Sequence, residues 1–108
     1  MKQFDPNYQL LADMYRDDYF PPHLVDKVKA ELVKVIEFLQ TGVTNLELIQ
    51  AKLDEVVCAI NDLQEEFDAQ DSEIETVARD DIATSVIYIL DWFNIELDIE
   101  EALRERDW

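Results

Sequence analysis

The sequence predicts an all-α, up-down antiparallel bundle of four main helices plus a short C-terminal helix. Three observations carry this. The 108 residues are 48% hydrophobic and include one glycine and three prolines, a composition of folded helical domains rather than disordered chains. Apolar residues recur at spacings of three and four over long stretches. Hydroxyl, amide or carboxyl side chains stand where those stretches begin, as helix starts require. A single domain spanning residues 1–108 is expected, with a core sufficient to fold alone.

The segment from Met1 to Pro6 reads as a short arm. Asn7 can cap a first helix of about ten residues, with Tyr8, Leu11, Met14 and Tyr15 on one face. The run Asp17-Asp18-Tyr19-Phe20-Pro21-Pro22 breaks it. A residue before proline avoids the helical region, and a proline pair holds the chain extended. Tyr19 and Phe20 project from this stiff corner, either into the core or toward a partner.

Helix two is expected from Pro22 or His23 to about Gln40, with Leu24, Val28, Leu32, Ile36 and Leu39 as its stripe and Gly42 as its stop. Lys27, Lys29 and Lys34 make it the one basic helix. Thr44-Asn45-Leu46-Glu47 fits a capping box that opens helix three, Asn45 to about Asp68. Its stripe is Leu46, Ile49, Leu53, Val56, Val57, Ile60, Leu63 and Phe67. Cys58 lies beside that stripe, where a buried, inert thiol is the usual outcome.

Two helical patterns then meet in a hairpin over residues 60–79, with a polar corner at Ala69 to Asp71. Ser72-Glu73-Ile74-Glu75 fits a second capping box, the Ser72 hydroxyl accepting from the Glu75 N–H. Glu75 and Arg79 have the favoured i,i+4 order, acid before base. Helix four is expected from Glu73 to about Phe93, and Asn94 can end it. Its far end, from Val86 to Phe93, is apolar nearly all round and reads as covered by neighbours. Asp98 can cap a last helix reaching Arg104 or Arg106, with Trp108 docked behind it.

The net charge is −17 and unevenly placed. Residues 1–52 carry six bases and eight acids; residues 53–108 carry three bases and eighteen acids. Such a field repels nucleic acid and anionic membranes and attracts cations or basic proteins. No apolar run approaches membrane-spanning length. One cysteine excludes an internal disulfide, and the start lacks a signal-peptide core. Together these favour the cytoplasm.

Several phrases resemble a family of small acidic bacterial helical proteins classed only as a domain of unknown function. They are Met14-Tyr15-x-Asp17-x-Tyr19-Phe20-Pro21, Leu24-Val25-Asp26-Lys27, Asn61-Asp62-Leu63-x-Glu65-Glu66-Phe67, Ser72-Glu73-Ile74-Glu75-Thr76-x-Ala78-Arg79 and Arg106-Asp107-Trp108. The resemblance implies a bacterial origin and a compact helical domain, and supplies no catalytic residue. Asp17-Asp18-Tyr19-Phe20-Pro21 is also similar in character to the acid-flanked Tyr-Tyr-Pro segment of nuclease-colicin immunity proteins. Phe replaces one tyrosine, and the surrounding chain does not match.

No catalytic constellation stands out and no cofactor is expected. Cys58 with the lone His23 is a weak nucleophile candidate. Asp62, Glu65, Glu66, Glu75 and Asp80 could converge across the hairpin as a Mg²⁺ or Mn²⁺ site of a small carboxylate enzyme. The E-x-x-H signature and the calcium-loop pattern are both absent. The leading expectation is a non-enzymatic acidic domain that binds a basic protein. Its candidate contacts are Asp17, Asp18, Tyr19, Phe20, Asp62, Glu65, Glu66, Glu73 and Asp80. Pairing of the basic helix two with the acidic helices of a second copy would give a homo-oligomer.

Overall fold

The computed structural model describes residues 2–108. Among them there is no strand. Four helices, α1 (Ala12–Arg16), α2 (Pro22–Gln40), α3 (Leu46–Ala69) and α4 (Thr76–Trp92), pack with the short α5 (Ile99–Ala102). The most extensive contact is between α2 and α3; α1 lies on α4, and α5 touches both α3 and α4. The molecule measures 40 × 28 × 18 Å. No helix among the described residues is long and apolar enough to cross a membrane.

The core forms where the predicted stripes meet. Leu24, Val28 and Leu32 of α2, Leu53, Val57 and Ile60 of α3, and Ile82 and Ile89 of α4 are all buried. Each such side chain contributes about 1.5–3 kcal/mol by leaving water. Leu46 departs from its expected place: it is 47% exposed. Asn45, not Thr44, caps α3, its Oδ1 accepting from the Leu48 N–H at 3.0 Å. The helix starts one residue later than the box implied, and Leu46 falls outside the stripe.

The helix ends follow local chemistry. Gly42, with φ 89°, follows α2. Asp71 and Asn94 take φ 58° after α3 and α4, a conformation that short polar side chains tolerate. After α3, Ser72 N–H donates to Phe67 O at 2.9 Å and Asp71 N–H to Asp68 O at 3.0 Å. After α4, Ile95 N–H donates to Leu90 O at 2.9 Å and Asn94 N–H to Asp91 O at 3.1 Å. Both are Schellman motifs.

The first of these overturns the second capping box. Ser72 is committed to closing α3, so it does not cap α4. Its hydroxyl is buried without a hydrogen-bond partner. α4 starts at Thr76 after Glu75, which makes no side-chain cap. Arg79 does not pair with Glu75; its guanidinium donates to Thr76 Oγ1 at 3.3 Å. Asp98 does cap α5, accepting from the Glu100 N–H at 2.8 Å.

The first helix is five residues, not ten. Asp5, not Asn7, organises the turn before it, accepting the Asn7 N–H at 2.9 Å. Leu11 precedes α1 with φ 57°, fully buried, a strained position for a branched residue. Two buried side chains of α4 hold it there. Ser85 Oγ accepts the Leu11 N–H at 3.2 Å and Asp81 Oδ2 the Met14 N–H at 2.9 Å.

The preceding segment lies against α4 through aromatic contacts. Tyr8 stacks on Tyr88 at 3.8 Å. Tyr88 donates to Asp5 Oδ2 at 2.7 Å, and Trp92 Nε1–H to Gln3 O at 2.8 Å. Phe4 meets Tyr8, Tyr88 and Trp92 edge-on. Thus part of the apolar surface near the end of α4 is covered by this arm, while Ile87 remains 42% exposed.

Candidate functional site

The nine candidate residues fall into separate places. The first is the end of the molecule formed by the Asp17–Pro21 corner and the connection between α3 and α4. Asp17 ends α1 and fixes the corner: its Oδ1 accepts the Tyr19 N–H at 2.9 Å and its carbonyl the Phe20 N–H at 3.1 Å. This corner buries one of its two rings and leaves the other in solvent. Phe20 is 1% exposed, and Tyr19 is 43% exposed. Their centroids are 5.1 Å apart, edge to face. Phe20 is therefore a core residue closed to a partner, a correction to its place among the candidate contacts.

Tyr19 stands in an acidic setting. Its phenol pKa is raised by desolvation and then by the Glu73 and Glu75 carboxylates. With Asp17, Glu75 and the half-exposed Val77 it lines a shallow hollow. A cleft of about 380 Å³ beyond it is lined by Gln64, Glu65, Asp68, Ser72, Glu73 and Ile74. The fold thus brings Glu65 and Glu73 together there, with Tyr19 close to Glu73. Asp18 is exposed at the corner.

Glu66 is answered within the chain by an ion pair with Lys27 that ties α3 to α2. The other ion-paired lysine of α2, Lys34, is joined to Glu31 of the same helix at 2.9 Å. Asp62 belongs to a different acidic group, with Asp54, Glu105 and Asp107 around Cys58. Asp80 shares a third hollow with Arg79, Ala83, Ile87, Ile99, Glu100 and other residues. Asp62 and Asp80 are not brought to the Tyr19 end.

Cys58 is exposed rather than buried. Desolvation, then the surrounding Glu105, Asp54, Asp62 and Asp107 charges, raise its pKa, which keeps the thiol protonated and a poor nucleophile. Burial works to raise the Asp54 pKa, but hydrogen bonds from Arg104 and Gln50 outweigh it and lower the value. Arg104 grips Asp54 with two bonds, of 3.1 and 2.6 Å. Among the described residues, no three His, Cys, Asp or Glu side chains are grouped to hold a metal ion. The carboxylates Asp62, Glu65, Glu66, Glu75 and Asp80 do not converge as the metal reading required.

Two polar features were missed in the sequence. Asp81 and Ser85 sit one turn apart on the buried face of α4, in phase with Ala78, Ile82 and Ile89. A polar pair in core phase is the signal that could have found them. The second is a clasp on α3. Asn61 Nδ2 donates to Glu105 O at 2.8 Å, and its Oδ1 accepts the Asp107 N–H at 3.2 Å. Gln64 donates to the Asp107 carboxylate beside it.

These features define a small, acidic, all-helical domain. The chain belongs to a family of unknown function, DUF5713, whose model matches residues 4–108. No curated protein and no solved structure matches it.

Proposed function

We propose that this chain is a non-enzymatic, cytoplasmic acidic domain that binds a basic protein, as an inhibitor or immunity-like partner. One observation carries the reading. An exposed tyrosine stands among Asp17, Asp18, Glu73 and Glu75, none of which has an ion-pair partner among the described residues. Unpaired carboxylates accelerate encounter with a cationic surface, and an aromatic side chain holds the complex once formed. Tyr19 is the anchor, Val77 extends the apolar contact, and the acids form the polar rim.

The test starts with the protein immobilised, loaded with lysate at low salt and eluted by a salt gradient. The expected result is one basic protein leaving sharply at moderate salt. Tyr19→Ala should weaken that complex by at least about tenfold, as loss of an aromatic anchor does. Glu73→Lys should chiefly slow association. A diffuse smear of basic proteins, or a complex indifferent to both substitutions, overturns the reading.

A further inference from the structure

We infer that the hollow between α4 and α5 is a receptor for a free apolar amino acid, its carboxylate on Arg79 and Arg106, its ammonium on Asp80 and Glu100, and its side chain on Ile87. The hollow shares no lining residue with the one around Tyr19, and the inference is independent of the proposed function.

Three arginines follow residue 52. Arg104 is spent on Asp54, through bonds of 3.1 and 2.6 Å. The other two, Arg79 and Arg106, line this one hollow, and both have donors to spare. Arg79 makes no ion pair among the described residues, in a chain with 26 acids and nine bases. Its guanidinium makes one long bond, of 3.3 Å, to the neutral Thr76 hydroxyl. Arg106 lies over the Trp108 ring at 5.8 Å, and its ion pair with Glu100 spans 3.5 Å, beyond ordinary hydrogen-bond length. A guanidinium has five N–H donors in a planar fork. Two largely unspent forks on one hollow suit a carboxylate.

The floor between them is apolar. It is made of Ala83, the half-buried Ile99 and Ile87, which is 42% exposed. The volume, about 330 Å³, lies in the range of small-molecule sites. Asp80, Glu100 and Thr76 complete the polar lining. Two bases therefore face two acids here, in the half of the chain where acids outnumber bases eighteen to three.

The lining and the protein's field together select the ligand. A net charge of −17 repels anions from a distance. A simple carboxylate meets that repulsion and leaves Asp80 and Glu100 unanswered, and a simple amine leaves the arginines unanswered. A zwitterion has no net charge and answers both. Its carboxylate takes parallel N–H bonds from a guanidinium, and its ammonium offers three donors to the acids. Both charges stand on one carbon in a free amino acid but not in a peptide. An apolar side chain gains by covering Ile87 and Ile99.

The test is an amide-resolved NMR titration of the full chain with L-leucine, 4-methylpentanoate, L-leucinamide and glycine. Leucine should give saturable shifts at Arg79, Ala83, Ile87 and Ile99. It should bind at least about tenfold more tightly than 4-methylpentanoate or leucinamide, each of which lacks one set of charge-assisted hydrogen bonds. Glycine, without an apolar side chain, should not saturate in the same range. Arg79→Gln should weaken leucine about tenfold and leave the melting temperature unchanged, since no ion pair is lost. Arg106→Gln should weaken it as well. Equal affinity for leucine and 4-methylpentanoate would overturn the amino-acid assignment. Shifts spread over other faces, an absence of saturation, or unchanged affinity in both arginine variants would overturn the site.

Discussion

Asp81 of α4 accepts the backbone N–H of Met14 in α1 at 2.9 Å, inside the protein. The relationship is a helix cap supplied from another helix. It explains how a five-residue helix, preceded by a left-handed Leu11, keeps one shape. It also places a carboxylate where water is scarce, since Asp81 is 7% exposed.

That burial makes stability depend on pH. Desolvation raises the Asp81 pKa above its ordinary value of 3.8, against the opposing bonds from Met14 and Asp13. The folded state therefore holds the proton more tightly than the unfolded chain. This contribution is full below the ordinary value and is lost as pH rises through the folded value. Asp81→Asn keeps an acceptor without the charge, so its stability should stay near wild type at neutral pH and lack that decline. Asp81→Ala should cost about 1–2 kcal/mol through the lost cap. Urea unfolding across the acid-to-neutral range checks both; an Asn variant that keeps the full decline would assign it to another group.

Asp71 offers a simple gain. It holds φ 58° after α3, exposed at an already acidic end. Asp71→Gly should stabilise by about 0.5–1 kcal/mol, because glycine meets no Cβ penalty there and one like charge is removed. Asp71→Ala should not match it. Equal gains in thermal melts of the two variants would show that charge alone was responsible.

The Asn61 clasp predicts a local effect. Asn61→Ala removes both bonds to the 105–107 backbone and should cost about 1–2 kcal/mol. Amide exchange should quicken at Asp107 more than in the α2–α3 core. Protection that falls equally everywhere would mean that the clasp unfolds only with the whole domain.

Charge crowding should also be visible in bulk. Among the described residues most of the acids have no ion-pair partner, so screening should relieve repulsion in the compact state. The melting temperature should rise from low to physiological salt. A flat or falling trend would show that the described ion pairs already offset the crowding.

The legible parts of the fold were those set by local pattern. The α3 stripe from Ile49 to Phe67 and the stops at Gly42 and Asn94 follow from residues that act on their own neighbours. The illegible parts were competitions. Ser72 could begin α4 or close α3, and the closing role won. Asn7 could begin a helix, but Asp81 and Ser85, far away in sequence, dictated where α1 starts. Cys58 abuts the stripe yet falls on the outer face, an angular difference too small for spacing alone to settle. At the candidate site, the acidic character of the 60–79 hairpin was readable. The opposite fates of Tyr19 and Phe20 were not, because both orientations satisfy a proline-stiffened corner.

The long reach of the α1 caps also orders events in time. Leu11 meets Ser85 and Met14 meets Asp81 across 74 and 67 residues of chain. A five-residue helix has no stability of its own, so α1 cannot form until α4 is in place. The α2–α3 hairpin, joined by a short turn, can close early at little loop entropy. Kinetic φ-values should then be high for Leu32→Ala and Leu53→Ala and near zero for Asp81→Ala, whose destabilisation would appear as faster unfolding. A φ-value near one at Asp81 would reverse that order and make the long-range closure the nucleus.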